Sequence, residues 1–169
     1  MTGRILIAGV GNIFLGDDGF GVEVVRRLRT ERLPENVSVG DFGIKGIHLA
    51  YELLDGYETL ILIDALPRGE EPGTVFLLRP DVDALPSMPA DAHGMEPAAM
   101  FAFLRSLGGT IPQTFIVGCE PMETEEAIGL SAPVERAVDE AVDLVRRLLE
   151  VSDVAMMEVE VPAPVVPGA

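Results

Sequence analysis

Residues 4–28 read RILIAGVGNIFLGDDGFGVEVVRRL and contain the pattern that decides the fold. Ile5 to Ala8 form an uninterrupted apolar run that ends at a glycine, which is typical of a strand buried on both faces. After a glycine-rich turn, Phe20, Val24 and Leu28 recur every fourth residue and predict an amphipathic helix. A buried strand, a turn and a helix in this order indicate an α/β domain with a parallel sheet.

The same alternation continues along the chain. Further strands are predicted at 37–41, 59–64, 73–78 and 114–118, and helices at 47–54, 95–107 and after Ser131, the predicted N-cap of the last helix. The loop between the third and fourth strands is too short for a crossover helix, which favours an antiparallel pair there. We therefore expect a three-layer α/β/α sandwich with a mostly parallel, five-stranded mixed sheet. Residues 1–150 are expected to form one domain, and 151–169 a mobile C-terminal tail.

Composition excludes several classes of partner. The 169 residues include 28 acidic and 12 basic side chains, a net charge of −16, so nucleic acids and anionic membranes are poor partners. The single cysteine, Cys119, allows no intramolecular disulfide, and no apolar stretch approaches the ~20 residues of a membrane span. We expect a cytoplasmic protein, and nothing in the sequence requires more than a monomer.

Acidic side chains follow the first three predicted strands. Asp17 and Asp18 come after the first, Asp41 ends the second and Asp64 ends the third. Ligands of such sheets bind beyond the carboxyl ends of the strands, so these groups are candidate site residues. His93 precedes a predicted helix, in a loop able to reach the same edge.

A dinucleotide site is the obvious alternative for a glycine-rich turn after the first strand. Gly9 and Gly11 match the first two glycines of G-x-G-x-x-G, but Phe14 occupies the third position, where a side chain prevents close helix–strand packing. Carboxylates at the start of the helix also have the wrong sign for a pyrophosphate. The sequence therefore disfavours nucleotide binding.

Four ordered segments carry a more specific resemblance. They are GVGNIFLGDDGFG at 9–21, LILIDALPRGEEPGTVFLL at 60–78, AHGMEP at 92–97 and GCEPMETEEAIGLSAPVERAV at 118–138. Together they resemble the hydrogenase maturation proteases, the aspartic-type endopeptidases that trim the C-terminus of the nickel–iron hydrogenase large subunit. The resemblance covers about residues 4–148, and it implies a phosphorylase/hydrolase-like fold.

The resemblance implies a role for three side chains. Asp18, Asp64 and His93 fall on the family's metal-contacting and catalytic positions. In the family these groups recognise nickel in the precursor's active site, so the metal arrives with the substrate and the protease needs no cofactor of its own. Two carboxylates and one imidazole suit a borderline divalent ion and leave coordination positions open.

The chemistry of hydrolysis stays open between two routes. A metal can polarise the scissile carbonyl or bind the attacking water. Alternatively, an aspartate can act as general base, and Asp64 is then the candidate. Asn12 and Asp41 are expected to shape the site, with the Asn12 amide bonding backbone groups of the turn. Lys45, within a segment where the family carries Asp-Gly-Gly-Thr, is interpreted either as a partner of Asp41 or of the precursor, or as a solvated loop lysine.

Other candidates have simpler interpretations. Asp17 is predicted to be a helix N-cap. His48 is predicted to lie on the surface, and Cys119 to be a small packed residue and not a nucleophile. For Asp18, capping competes with metal contact when the residues alone are considered.

The sequence thus predicts an endopeptidase that removes the C-terminal extension of a nickel-loaded hydrogenase large-subunit precursor, its expected partner. Two alternatives remain. One is an independent metallohydrolase of the same fold that holds its own ion. The other is a non-catalytic accessory protein that recognises the nickel-loaded precursor without cutting it.

Overall fold

A five-stranded sheet forms the centre of the molecule. The computed structural model describes residues 3–44, 46–84 and 97–151. The strands are β1 Ile5–Val10, β2 Val37–Gly43, β3 Thr59–Ala65, β4 Val75–Leu78 and β5 Gln113–Cys119. Their order across the sheet is β2-β1-β3-β5-β4, and every neighbouring pair is parallel except β4 with β5. β1 and β3 are buried along their whole length, as continuous aliphatic runs predict.

Helices cover both faces of this sheet. They are α1 Phe20–Leu28, α2 Gly46–Leu53, α3 Pro97–Ser106 and α4 Ala132–Glu150. One apolar core joins α1 and α4 to the sheet, and a second joins α2 and α3 to the other face. The predicted three-layer α/β/α sandwich with a mostly parallel mixed sheet is confirmed.

The position of β4 differs from the prediction. The strand is antiparallel, but its partner is β5 and not β3, with Val75 opposite Cys119. The intervening loop crosses the end of β5, because Leu66 N–H donates to the Cys119 carbonyl and Gly73 N–H donates to the Glu120 carbonyl. A connection without a helix indicates only that β4 runs opposite to β3. It does not determine the neighbour, since β1 and β5 already occupy both sides of β3.

The buried face of α2 also differs from the prediction. The spacing of Ile47, Ala50, Tyr51 and Leu54 predicts one apolar face, but three of these four are 40–53% exposed. The side chains that reach the core are Leu49, Ala50 and Leu53. Apolar residues occur on more than one side of this eight-residue helix. Their spacing is therefore compatible with either of two buried faces.

Several predictions lie outside the described residues. They concern Lys45, His93, the first residues of the helix predicted from 95, and the tail after Val151. The domain boundary at residue 150 stays a prediction, and α4 ends there. Within 3–44, 46–84 and 97–151, no helix has the length and apolar character needed to cross a bilayer.

Candidate active site at the carboxyl edge of the sheet

The turn after β1 folds back tightly on the short 3-10 turn Gly16–Gly19. Gly11 has a φ of +126°, and a Cβ there would lie 1.9 Å from the Asp18 carbonyl oxygen. Its N–H donates to the Gly43 carbonyl oxygen at 3.0 Å, which joins the ends of β1 and β2. Only glycine accommodates both the left-handed conformation and this close approach.

Asn12 connects this turn to Asp18. Its backbone N–H donates to Asp18 Oδ2 at 2.8 Å, and its side-chain Oδ1 accepts from the Phe14 N–H at 2.9 Å. The predicted role of the Asn12 amide in holding the loop is confirmed. The half-buried Asp18 carboxylate is thereby held in one orientation, and among the described residues its other oxygen has no hydrogen-bond partner.

Asp64 lies at the carboxyl end of β3, next to β1 in the sheet, and only 7% of its surface is exposed. Burial, followed by the negative charge of Asp18, raises the pKa of Asp64 to about 8, against a hydrogen bond from the Ala65 N–H. The structure therefore brings the two predicted carboxylates into electrostatic contact.

This pair can serve two kinds of chemistry. Two carboxylates that repel each other in a poorly solvated position are stabilised in their ionised form by a cation, for which they supply oxygen ligands. A carboxyl group with a pKa near neutrality can also transfer protons. Among the residues that the structure describes, no group of three His, Cys, Asp or Glu side chains forms a metal cluster. The predicted third member, His93, lies outside them.

Asp17 has a different role from the predicted N-cap, and that prediction is wrong. The position before α1 is Gly19, without a side-chain cap. The fully buried Asp17 carboxylate instead accepts from the N–H groups of Met122, Glu123 and Ser131 at 2.7–2.9 Å. The Ser131 hydroxyl, at the confirmed N-cap position of α4, donates to Asp17 at 2.8 Å.

These bonds determine the ionisation of Asp17 and the place of the loop it holds. Burial raises the pKa of Asp17, but the four hydrogen bonds outweigh it, and the net pKa is lowered from 3.8. The Asp17 N–H donates in return to the Glu123 carbonyl oxygen at 2.8 Å. Asp17 therefore fastens the loop 120–131 beneath the turn that presents Asp18.

Asp41 lies on the same edge but on the far side of β1 from Asp64. Its Oδ1 accepts from the Gly43 N–H at 2.9 Å, and the side chain is exposed at the rim of an open groove. Asp41 is therefore placed to shape the approach to the site.

Two further predictions are confirmed by burial. His48 is exposed on α2. Cys119 is fully buried, and burial, followed by the charges of nearby carboxylates, raises the pKa of its thiol to about 12. A thiol with so high a pKa is not an activated nucleophile.

Sequence reasoning missed two residues that support this edge. Glu120, which follows β5, is 6% exposed and accepts from the N–H of Arg68 at 2.6 Å, holding the loop after β3. The signal that selected Asp64, an acid at the end of a buried strand, applies equally to Glu120. Gly21 is the second, because a Cβ on it would lie 2.1 Å from the Ile63 carbonyl oxygen and 2.5 Å from that of Val10. Gly21 thus provides the close helix–strand contact that Phe14 cannot.

Comparison with protein families gives one clear match. The family model described as hydrogenase maturation protease matches residues 22–148. A putative hydrogenase maturation protease of Methanocaldococcus jannaschii is 36% identical over 145 residues, covering 83% of this chain and 93% of the relative. The hydrogenase 2 maturation protease of Escherichia coli is 34% identical over 154 residues, which cover 89% of this chain and 93% of that relative.

Solved structures agree with the sequence comparison. The hydrogenase maturating endopeptidase HybD of Escherichia coli superposes with a TM-score of 0.71 and 30% identity, over 87% of this chain and 92% of that one. A hydrogenase 2 maturation peptidase from a Thaumarchaeota archaeon superposes with a TM-score of 0.69 and 35% identity, over 87% of this chain and 98% of that one.

Proposed function

The chain belongs to the hydrogenase maturation protease family and is a peptidase, and from that premise we propose that it removes the C-terminal extension of a nickel-loaded hydrogenase large-subunit precursor. The observation that carries this proposal is the pairing of Asp18 with Asp64 at the carboxyl edge of β1 and β3. The turn that presents Asp18 is held by hydrogen bonds on both sides.

Nickel enters this proposal as part of the substrate. Asp18 and Asp64 supply oxygen ligands, and His93 is the proposed nitrogen ligand. These groups are too few to fill the coordination of a divalent ion, so ligands of the precursor complete it. A precursor without nickel then lacks the cation that draws its C-terminal region to the pair. The protease needs no cofactor of its own.

Asp64 is the proposed general base if water is activated by a side chain. Its position on a strand between β1 and β5 fixes its backbone, and its burial excludes most competing water. Asp18 is then the anchoring ligand, because the Asn12 N–H holds one of its oxygens and leaves the other for the metal. In the alternative route the nickel itself polarises the scissile carbonyl or its water.

The proposed partner is the large-subunit precursor, and the proposed state is a cytoplasmic monomer. The single cysteine, which is buried and unpaired, fits a reducing compartment. Light scattering of the purified protein, alone and with precursor, tests the monomer and the complex.

Mass spectrometry of the precursor tests the reaction directly. The protein is incubated with a cognate precursor with and without nickel, and the mass of the precursor's C-terminus is measured. We expect loss of the extension only in the nickel-loaded sample. Asp18→Asn and His93→Ala abolish this loss, whereas the matched variants Asp55→Asn and His48→Ala, at exposed positions, retain it.

Each opposite result identifies a different function. Removal of the extension from the nickel-free precursor contradicts recognition through nickel. Stoichiometric metal in the purified protein, with cleavage of small peptides or amides, indicates an independent metallohydrolase. A tight complex with an intact precursor indicates a non-catalytic accessory protein.

A further inference from the structure

An open groove of about 360 Å³ lies where β1 and β2 end. Residues 11–14 form one wall, residues 41–44 form the other, and Val22 of α1 closes one side. The groove is therefore built by the turn that presents Asp18 and by the end of the edge strand that carries Asp41.

Large apolar side chains line this groove without being covered. Phe14 and Ile44 are each 58% exposed, and Ile13 is 43% exposed. Single exposed apolar residues are ordinary on protein surfaces, but several around one concave site mark a binding surface. The carboxyl edge of the sheet thus presents an apolar surface that a partner would bury.

The groove is continuous with the candidate active site. Gly11 and Asn12 line it, and the Asn12 backbone N–H holds Asp18 at 2.8 Å. A polypeptide lying in the groove therefore passes beside a proposed nickel contact. This continuity favours the substrate, and not an unrelated ligand, as the molecule that binds in the groove.

Charge restricts what the groove can bind. Among the described residues that line it, Asp41 is the only charged one, and its Oδ1 accepts from the Gly43 N–H. A cationic group complements this wall. A second copy of the chain is disfavoured, because its net charge is also −16.

We propose that the groove binds an extended segment of the precursor adjacent to the scissile bond, with a large apolar side chain between Phe14 and Ile44 and a basic side chain at Asp41. This inference rests on the proposed function and adds the surface that selects the substrate. Apolar anchors in a cleft with a charged rim are the usual source of affinity in such contacts.

Steady-state cleavage of nickel-loaded precursor by the full-length chain tests the apolar contact. Phe14→Ser and Ile44→Ser are each expected to raise KM about tenfold while kcat stays within about twofold of wild type. The matched control is Leu54→Ser, which is 43% exposed and lies beyond the end of α2, outside the groove. It is expected to change neither constant. Thermal unfolding confirms that each variant is folded.

The charged contact is tested with Asp41→Asn, which keeps an oxygen for the Gly43 N–H. We expect a higher KM at low ionic strength and a difference from wild type that disappears in high salt. Equal KM values at every salt concentration would overturn the charged contact.

A binding measurement separates failure of this inference from failure of the proposed function. The inactive Asp18→Asn protein, with and without Phe14→Ser, is titrated with nickel-loaded precursor. An affinity about tenfold weaker with Phe14→Ser supports the groove even if the wild-type protein cuts nothing. Unchanged KM and affinity in Phe14→Ser and Ile44→Ser overturn the inference while leaving the peptidase intact. Self-association of the wild-type chain that Phe14→Ser removes would assign the groove to a second copy and also overturn it.

Discussion

Asp17 and Asp18 are neighbours in one short 3-10 turn, yet they face entirely different surroundings. Asp17 is fully buried among backbone N–H groups and a hydroxyl, and its pKa is lowered. Asp18 is half-buried and faces the buried carboxyl group of Asp64, whose pKa rises to about 8. Side-chain type is therefore no guide to role here.

The contrast shows how one turn can combine stability with reactivity. The hydrogen bonds donated to Asp17 more than offset the free-energy cost of burying its charge. Asp17 therefore stabilises the fold. The burial of Asp64 beside the negative charge of Asp18 leaves such a cost unmet, which is common where a site is prepared for a ligand. Substitutions at these positions should therefore change different measurements.

The largest expected effect is on catalysis, in Asp18→Asn. Replacing the carboxylate removes the anionic ligand but keeps an oxygen for the Asn12 N–H, so kcat/KM falls about a hundredfold or more while the folded state persists. Cleavage assays and urea unfolding of the same preparation measure both quantities. A large loss of stability in this variant would break the contrast with Asp17.

Asp17→Asn is expected to cost about 2–4 kcal/mol of unfolding free energy, because an amide NH₂ faces donors that need an acceptor. The folded pKa of Asp17 lies below 3.8, so its stabilisation is present above that pH and is lost as the pH falls through the folded value. Urea unfolding should show a difference in unfolding free energy at pH 7 that becomes smaller as the pH falls below 3.8. A difference that stays constant over this range would contradict an ionised Asp17.

Asp64 should produce the opposite pH dependence in the metal-free protein. Its folded pKa of about 8 exceeds the ordinary 3.8, so the contribution of Asp64 to stability is fully present below pH 3.8 and is lost as the pH rises through about 8. Relative to Asp64→Asn, we expect the wild type to lose about 2 kcal/mol between pH 6 and pH 8. Urea midpoints measure this, with Asp55→Asn, at an exposed position, as the matched control.

The smallest expected effect is in Ser131→Ala, which removes one hydroxyl donor from Asp17 and leaves its three backbone donors. The cost should be about 1 kcal/mol. Ser106→Ala, at an exposed hydroxyl that donates to the Phe103 carbonyl, is the matched control and should cost less. Equal losses of unfolding free energy in both variants would show that the hydrogen bond from Ser131 to Asp17 stabilises the fold no more than an exposed hydroxyl does.

Much of the fold follows from the sequence because buried strands and glycine stops are local signals. The runs at β1, β3 and β5 are aliphatic enough to specify strands, and Gly56 adopts the predicted left-handed conformation, with a φ of +85°. The neighbour of β4 and the face of α2 were not predictable, since both depend on packing between distant segments.

The candidate site was predictable to a similar extent. Their positions after strands made Asp17, Asp18, Asp41 and Asp64 candidates, because parallel strands bring their carboxyl ends to one edge. The family resemblance then singled out Asp18 and Asp64. The anchor role of Asp17 was not visible, because its donors come from residues 122–131, more than a hundred positions along the chain. The placement of His93 remains a prediction from the resemblance.

Gly21 fixes the width of the reactive cleft. Helix α1 can approach the sheet closely enough to bring the Asp18 turn against the Ile63–Asp64 end of β3 only because residue 21 is a bare hydrogen on that side. A methyl group there would clash with two carbonyl oxygens of the strands. Helix α1 would have to move away from the sheet, and the distance between Asp18 and Asp64 would increase. The distance between the two carboxyl-bearing segments is thus limited by a residue that carries no side chain of its own.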